Sequence, residues 1–210
     1  MAKSPRGGRK SSAQQPGRLR IVAGKWRRRL LPVVDVAGLR PTPERVRETL
    51  FNWLAPRIDG ARCLDLCAGS GALGFEALSR GASHAVMVER AKAAVHGLRS
   101  SADLLGAELG TDLRIVESDA RQFLRQSPAE PYDLVFLDPP FQDDLLPELC
   151  RLLQQRAWLA RDALVYIEHD REAPPDSLPS GWAIRKQSNA GNVTYLLLSP
   201  EPEETGSARP

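Results

Sequence analysis

The regular alternation of strand-like and helix-like segments from Ala61 onward constrains the fold more than any other feature. Strands joined by helical stretches of this length indicate right-handed β-α-β units and a mostly parallel sheet. The predicted strands lie at 63–66, 85–88, 113–116, 132–137, 163–167, 182–186 and 193–198. The predicted helices between them lie at 71–78, 91–105, 120–125 and 144–155.

The chain ends in a different pattern, because no helix separates the last two predicted strands. They flank the turn-forming segment 188–192, Ser-Asn-Ala-Gly-Asn, and are expected to pair as an antiparallel hairpin at the sheet edge. The sequence therefore predicts an α/β fold whose seven-stranded sheet is mostly parallel and whose last strand is antiparallel. We assign residues 41–198 to this domain and predict that residues 199–210 form a disordered acidic tail.

Charge divides the chain into a basic N-terminal part and an acidic body. Residues 1–50 contain 13 Lys and Arg and three acids, a net charge of +10, whereas the other 160 residues have a net charge of −7. Residues 1–17 are of low complexity and are predicted to be a disordered basic leader. Residues 18–40 alternate in polarity around Gly24-Lys25 and are predicted to form a basic hairpin. A basic arm on an acidic body is typical of a protein that contacts a polyanion.

A helix is predicted directly after this hairpin. Thr42 can cap it, and Pro43 suits its first position because proline has no N–H to lose there. Its apolar side chains fall on one face at helical spacing, which predicts that they pack in the core. They are Val46, Leu50, Trp53 and Leu54.

Composition excludes several classes of protein. No apolar run approaches the roughly 20 residues of a membrane span. The N-terminus lacks the apolar segment of a signal peptide, so we expect a cytoplasmic protein. Cys63, Cys67 and Cys150 have no neighbouring His or Cys partner, and we interpret them as small core residues rather than as a disulfide or a metal site. A monomer is the default expectation.

A glycine-rich loop follows the first strand of the alternating region. Residues 65–74 read Asp-Leu-Cys-Ala-Gly-Ser-Gly-Ala-Leu-Gly, which contains the G-x-G-x-x-G pattern of dinucleotide-binding loops. Asp65 argues against a dinucleotide, because a carboxylate four residues before Gly69 would repel a pyrophosphate. The same carboxylate favours a ligand with ammonium and sulfonium groups, such as S-adenosylmethionine. Gly69 and Gly71 would let the backbone approach that ligand closely.

Acidic residues also end the next two predicted strands. Glu89 lies 18 residues after Gly71, where an acid can accept both ribose hydroxyls, and Asp119 can reach the adenine amino group. Helix capping or a solvated loop explains any one of these acids, but explains the ordered set less well. We therefore predict a Rossmann-like class I S-adenosylmethionine-dependent methyltransferase fold. Its predicted cofactor residues are Asp65, Ala68, Gly69, Ser70, Gly71, Glu89, Asp119 and Ala120.

The fourth strand of the alternating region ends abruptly on Asp138-Pro139-Pro140-Phe141. The two prolines cannot continue a strand, and each holds the residue before it extended. Asp138 is therefore predicted at the carboxyl end of a buried strand, followed by a stiff turn that carries Phe141. A carboxylate, nearby carbonyls and a ring suit a planar amine. The alternative, a simple strand terminator, is less compatible with the cofactor loop.

This arrangement resembles the amino-methyltransferases, whose (Asp/Asn)-Pro-Pro-(Tyr/Phe) motif methylates exocyclic or amide nitrogens. Over about residues 18–198 the chain is similar to the RsmD-type family, the bacterial 16S ribosomal RNA guanine-N2 methyltransferases. The stretches that carry the resemblance are 20–27 (RIVAGKWR), 39–42 (LRPT), 45–54 (RVRETLFNWL), 68–74 (AGSGALG) and 135–141 (VFLDPPF). The resemblance implies methylation of the exocyclic N2 of a guanine in 16S rRNA of the small ribosomal subunit.

The resemblance also implies roles for the four residues of the aspartate turn. Asp138 and the Pro139 carbonyl would accept the two N–H bonds of the guanine amine and turn its lone pair towards the methyl group. Phe141 would stack on a base that has left its helix or is unpaired. Pro140 completes the predicted catalytic set. Asp138 is interpreted as orienting the lone pair rather than as a strong base.

The basic hairpin then fits contacts with RNA phosphates, and the resemblance implies that the partner is 16S rRNA, within small-subunit particles. The predicted RNA-binding residues are Arg18, Arg20, Lys25, Arg27, Arg28, Arg29, Arg40, Arg45 and Arg47. Ordinary surface charge remains the alternative for any one of them. Naked RNA and an assembled particle both stay open as the substrate.

Other functions share parts of this pattern. An adenine-N6 DNA methyltransferase has the same order of glycine loop and Asp-Pro-Pro-Phe, but usually carries a target-recognition domain that 210 residues do not accommodate. A protein glutamine methyltransferase leaves the basic arm unexplained. A non-catalytic RNA-binding assembly factor would need a broken cofactor site, whereas the glycines, Glu89 and Asp138 are present.

Overall fold

The computed structural model describes residues 17–34, 42–174 and 181–200. The strands are β1 Arg18–Arg20, β2 Leu30–Pro32, β3 Arg62–Asp65, β4 His84–Glu89, β5 Leu113–Glu117, β6 Tyr132–Leu137, β7 Leu159–Asp170, β8 Trp182–Ala190 and β9 Val193–Pro200. The helices are α1 Glu44–Leu54, α2 Ala72–Ser79, α3 Lys92–Leu105, α4 Ala120–Leu124 and α5 Leu146–Gln155, with a short 3₁₀ helix at Phe141–Asp143. In this part of the chain, no helix is long and apolar enough to cross a membrane.

Strands β3 to β9 form one sheet in the order β5-β4-β3-β6-β7-β9-β8. Strands β3 to β7 are parallel, and β9 is antiparallel to both β7 and β8. The predicted α/β fold class is confirmed. The final hairpin lies at the edge as predicted, with β8 outermost and β9 inside the sheet. Strand β7 is longer than predicted, because its polar end, Glu168 to Asp170, continues to pair with β9 after the apolar run stops.

The direction in which successive strands are added to the sheet reverses between β3 and β6. From β3 it proceeds through β4 to β5 on one side, and then returns to place β6 against the other side of β3. In open parallel sheets, ligands bind in the crevice outside the carboxyl ends of the strands at such a switch point. Here those two strand ends carry Asp65 and Asp138.

Alternate side chains of the central strands pack into two cores on opposite faces of the sheet. On β6, Leu134 and Phe136 face one core, which is covered by α1, α2, α3 and the N-terminal hairpin. Val135 and Leu137 face the other, which is covered by α4 and α5. Cys63 and Cys150 are buried in these cores as predicted, and Cys67 is half-buried.

The N-terminal hairpin forms, with shorter strands than predicted. Arg18, Leu19 and Arg20 of β1 pair with Pro32, Leu31 and Leu30 of β2. Backbone bonds of Ile21 with Arg28 and Arg29 extend the pairing by one position. Beyond it, the N–H groups of Val22, Ala23 and Lys25 donate to helix α2, and the chain forms turns. Gly24 has φ +81°, and a Cβ there would lie 1.7 Å from the Ser79 carbonyl oxygen, so only glycine permits this contact.

The predicted capping role of Thr42 is wrong. Helix α1 begins at Glu44, and its N-cap position is Pro43, which has no side-chain hydrogen bond. Thr42 is buried, and its hydroxyl is directed at Asp138 instead. The apolar stripe is confirmed for Val46, Leu50 and Leu54, all of which are buried.

Candidate active site

The glycine loop connects the end of β3 to helix α2. Gly69 and Gly71 have φ values of 52° and 78°, the left-handed region that favours glycine. The loop is closed by the Gly71 N–H, which donates to the Ala68 carbonyl over 2.7 Å, and is tied to β4 by the Ala68 N–H, which donates to the Val88 carbonyl over 3.0 Å. These two hydrogen bonds fix the conformation of the loop at the end of β3.

Asp65 lies at the base of this loop and is only 3% exposed. Its Oδ2 accepts the Gly74 N–H of helix α2 over 3.1 Å. Burial raises the pKa of Asp65 to about 7, and the Glu89 carboxylate adds to that rise, while the N–H groups of Gly74 and Cys67 oppose it. Within residues 17–34, 42–174 and 181–200, no basic side chain forms an ion pair with Asp65. The site therefore has a buried carboxylate that a cation would stabilise.

Glu89 lies at the end of β4 beside the glycine loop. Its Oε2 accepts the Gly69 N–H over 2.9 Å, and its Oε1 accepts the Ala91 N–H over 2.7 Å. The carboxylate thus holds the loop and the start of α3 together while staying half-exposed at the crevice. A residue with this geometry can accept ligand hydroxyls with its remaining lone pairs.

Asp119 follows β5 and caps helix α4. Its Oδ1 accepts the Arg121 N–H over 2.9 Å, and both its oxygens accept the Arg121 guanidinium over 3.1 Å. The Arg121 side chain lowers the pKa of Asp119 below its usual range. Helix capping, the alternative explanation for an acid at this position, is therefore what the structure shows for Asp119. A contact between Asp119 or Ala120 and adenine stays a prediction.

The aspartate turn leaves β6 next to the loop of β3, since Asp65 and Phe136 are paired positions of these strands. Pro139 is buried, and Pro140 is exposed. Phe141 begins the 3₁₀ helix and is 42% exposed, although most phenyl rings are buried. The turn thus presents the exposed phenyl ring of Phe141 beside the half-buried carboxylate of Asp138. A cleft next to it is lined by Pro139, Pro140, Phe141, Leu145, His169 and Asp170 among others.

Asp138 has a second carboxylate beside it. Strands β6 and β7 pair Leu137 with Ile167, which places Glu168 of β7 next to Asp138. The Tyr166 hydroxyl donates to Glu168 Oε1 over 2.7 Å. Burial raises the pKa of Asp138 well above its usual range, and the carboxylates of Glu168 and Asp65 raise it further, while the Thr42 hydroxyl opposes the rise. Burial also raises the pKa of Glu168.

The predicted RNA-binding residues divide into three groups. Arg40 lies outside the described residues. Arg47 is 2% exposed, so its predicted place on an RNA-binding surface is wrong. Its guanidinium donates to Glu76 Oε2 over 3.3 Å, and only the tertiary fold supplies that partner. The side chains of the remaining seven are exposed. These are Arg18, Arg20, Lys25, Arg27, Arg28, Arg29 and Arg45.

The family described as Conserved hypothetical protein 95 matches residues 19–199 of this chain. The chain belongs to that family. It is 46% identical over 192 residues to the ribosomal RNA small subunit methyltransferase D of Escherichia coli strain K12, which covers 91% of this chain and 95% of that protein. The protein of the same name from Haemophilus influenzae is 42% identical over 182 residues, 86% of this chain and 93% of its own length. The predicted resemblance to the RsmD-type family is confirmed.

Solved structures place the fold in the same family. A structure described as a putative methyltransferase from Escherichia coli superposes with a TM-score of 0.81 at 44% identity. The match covers 89% of this chain and all of that one. The predicted class I methyltransferase fold is therefore confirmed.

Two residues of the candidate site, Glu168 and Thr42, are not among those predicted from the sequence. Glu168 had a usable signal, because it follows the apolar strand 163–167 just as Asp138 follows its own strand. The sequence gives no such signal for Thr42, because a threonine before a proline at the start of a helix also predicts an N-cap residue. Only the packing of α1 against β6 separates the two roles.

Proposed function

We propose that this chain transfers a methyl group from S-adenosylmethionine to the exocyclic N2 of a guanine in small-subunit ribosomal RNA. One observation carries the proposal. Asp138, at the end of β6, and Asp65, at the end of β3, lie on adjacent strands at the switch point of the sheet. A methyl donor held by the loop of β3 would therefore lie beside an amine held by the turn of β6.

The residues around the glycine loop fit S-adenosylmethionine. Asp65 is a buried carboxylate with backbone donors, and a ligand with ammonium and sulfonium charges would stabilise its ionised form. Glu89 keeps lone pairs for ribose hydroxyls, and the positive φ of Gly69 and Gly71 brings backbone close to the ligand. When bound, the cofactor supplies an electrophilic methyl group on its sulfonium sulfur.

The aspartate turn would orient the target amine. Its lone pair is delocalised into the guanine ring, so it is a weak nucleophile until both N–H bonds are held. Asp138 and the Pro139 carbonyl would accept those N–H bonds, and the exposed ring of Phe141 would stack on the base. Because the pKa of Asp138 is raised by burial, its carboxylate is also a better proton acceptor than an ordinary aspartate. The lone-pair role inferred from the sequence thus gains a second one, removal of the amine proton after transfer.

The exposed bases of the hairpin would bind RNA phosphates. Six of the exposed basic side chains lie on the hairpin and a seventh, Arg45, lies on α1. Pro32 and Val34, at and just after the end of β2, line a cleft with Gly69 and Ser70 of the glycine loop. The hairpin therefore reaches the cofactor crevice. A short basic hairpin offers few contacts to base edges, which favours a substrate whose shape is already set, such as a small-subunit particle.

Methyl transfer to defined substrates tests the proposal. Small subunits and naked 16S rRNA from cells lacking this protein are incubated with methyl-labelled S-adenosylmethionine, and the labelled nucleotide is mapped by nuclease digestion and mass spectrometry. We expect N2-methylguanine at one position, with particles preferred over naked RNA. A label that enters only duplex DNA, or adenine rather than guanine, would contradict the proposal. The exposed Asp103→Asn variant on α3 is the control for preparation effects.

A further inference from the structure

Thr42 is buried at the start of helix α1, 5% exposed, and lies against the aspartate turn. Its hydroxyl donates to Asp138 Oδ2 over 3.4 Å, a contact between residues 96 positions apart. Among the described residues, this is the one hydrogen bond that the structure gives to the Asp138 side chain. The bond is long, as hydrogen bonds of enzyme sites often are before the substrate tightens them.

Arg47 fixes the position of Thr42. Its Nε donates to the Thr42 carbonyl oxygen over 3.2 Å, while its two terminal nitrogens donate to Glu76 Oε2 over 3.3 Å and to the Arg20 carbonyl over 2.9 Å. A planar guanidinium can serve three acceptors in fixed directions, which a lysine ammonium on a flexible stem cannot. Thr42 is thus held by a side chain that is itself held on two other sides.

Glu76 anchors the other end of this network. It is fully buried in helix α2, the helix that follows the glycine loop. Its oxygens accept the N–H groups of Val22 and Ala23 over 2.8 and 3.0 Å, and the Arg80 guanidinium over 2.7 Å. Hydrogen bonds therefore run without a gap from the hairpin backbone through Glu76, Arg47 and Thr42 to Asp138.

The Thr42 hydroxyl has only one proton to donate, and it lies close enough to both Asp138 and Glu168 to lower the pKa of each carboxyl group. Glu168 already accepts the Tyr166 hydroxyl, whereas Asp138 has no other donor in the part of the chain that the structure describes. A proton directed at Oδ2 fixes the plane of the Asp138 carboxylate and leaves its other lone pairs for the N–H of a substrate amine. Without that proton, no other hydrogen bond from the described residues would orient the Asp138 carboxylate beside Glu168.

We propose that Thr42 is a positioning residue for Asp138 and that Arg47, braced by Glu76 and the hairpin backbone, holds Thr42 in that place. The inference rests on the role of Asp138 in the proposed function. The RNA-binding hairpin and the catalytic carboxylate are then parts of one hydrogen-bonded unit.

Thr42→Val and Thr42→Ser separate the hydroxyl from the volume of the side chain. We expect Thr42→Val to lower kcat about 10- to 100-fold, the worth of one hydrogen bond to a charged group, with RNA affinity unchanged. Thr42→Ser retains the hydroxyl and should stay within about threefold of the wild type. Because the hydroxyl favours the ionised form of Asp138, its loss raises the pKa of that group, and the acidic limb of the kcat profile should move to higher pH in Thr42→Val alone.

Three results discriminate between the inference and the proposed function. Wild-type kcat and an unmoved pH profile in Thr42→Val, with Asp138→Ala inactive, would overturn the positioning role only. Equal losses in Thr42→Val and Thr42→Ser would overturn it as well, because packing and not the hydroxyl would then matter. A fully active Asp138→Ala would instead overturn the proposed function itself.

A double-mutant cycle tests the part of Arg47. We expect Arg47→Lys to lower kcat in the wild-type background but by less than about twofold in Thr42→Val, since the two residues act through one contact. Arg99→Lys, at an exposed arginine on α3, is the matched control and should change nothing. Fully additive losses of Arg47→Lys and Thr42→Val would contradict the linkage. Thermal melts of all variants are recorded, and kcat is compared below the lowest melting temperature.

Discussion

The cofactor side and the amine side of the crevice are built differently. On the cofactor side, the carboxylates of Asp65 and Glu89 are held by backbone N–H groups of the glycine loop and of the helices that follow each strand. On the amine side, Asp138 is held by the side chain of Thr42, which lies just before helix α1 and 96 positions earlier in the chain. A site held by local backbone forms wherever the loop folds. A site held by a distant side chain depends on the whole N-terminal part being in place.

Removing the Asp138 carboxylate should have the largest effect. We expect Asp138→Ala to lower kcat by about 10³-fold, because both the orientation of the amine and the acceptance of its proton are lost. Affinity for S-adenosylmethionine, measured by isothermal titration calorimetry, should stay within about threefold, since the backbone-held cofactor side is untouched. A large loss of cofactor affinity in Asp138→Ala would show instead that the cofactor side of the crevice depends on this residue of the amine side.

Glu76→Ala tests whether the amine side depends on the hairpin anchor. The change leaves Arg47 buried without its partner and two backbone N–H groups unpaired, which costs about 3–5 kcal/mol of the free energy of unfolding. Urea unfolding followed by circular dichroism measures it. Glu48→Ala, an exposed glutamate on α1, should cost less than about 0.5 kcal/mol and serves as the control. Similar losses in the free energy of unfolding for Glu76→Ala and Glu48→Ala would show that Glu76 does not anchor the network.

The raised pKa of Asp65 predicts a pH dependence on the cofactor side. In the folded protein the pKa is about 7, above the usual value of 3.8, so the unfolded chain loses this proton at lower pH than the folded one. The free energy of unfolding without cofactor should therefore fall as pH rises from about 4 to about 7, by up to about 4 kcal/mol from this group. The difference between wild type and Asp65→Asn across that window, measured by urea unfolding, isolates the effect. A constant difference would contradict it.

Cofactor binding should show the opposite trend. A cationic ligand binds the ionised form of Asp65, so affinity should weaken as pH falls below about 7, approaching tenfold per pH unit. Asp65→Asn should bind more weakly at neutral pH and lack that slope. Calorimetry with S-adenosylmethionine at several pH values measures both, and parallel slopes in the two proteins would show that another group titrates.

The smallest expected effect concerns the hairpin surface. Replacing Arg18, Arg20 and Arg27 by Gln should weaken RNA binding and lower the slope of log affinity against log salt by about 0.7 for each lost phosphate contact. Fluorescence anisotropy with labelled RNA at several salt concentrations measures the slope. The matched control replaces three other exposed basic residues by Gln, namely Arg161 on β7 and Arg185 and Lys186 on β8. Equal losses in both triple variants would indicate general attraction to RNA instead of a hairpin site.

The sheet, the glycine loop and the acids that follow the strands can be predicted from the amino-acid sequence alone. These features are local, since an apolar run predicts a buried strand and the residue after it lies at the carboxyl edge. Asp65, Glu89 and Asp138 were found in this way, and Glu168 was within reach of the same argument. The aspartate turn was equally plain, because two prolines can only end a strand.

The contacts of Thr42 and Arg47 become visible only in the folded protein. A threonine before a helix predicts a cap, and an arginine among other arginines predicts a surface contact. Both interpretations are wrong here, because Asp138 and Glu76 lie 96 and 29 positions away and come within reach only when α1 packs beside α2 and β6. A buried charge is stable only beside its partner, and a single sequence does not say which partners will meet.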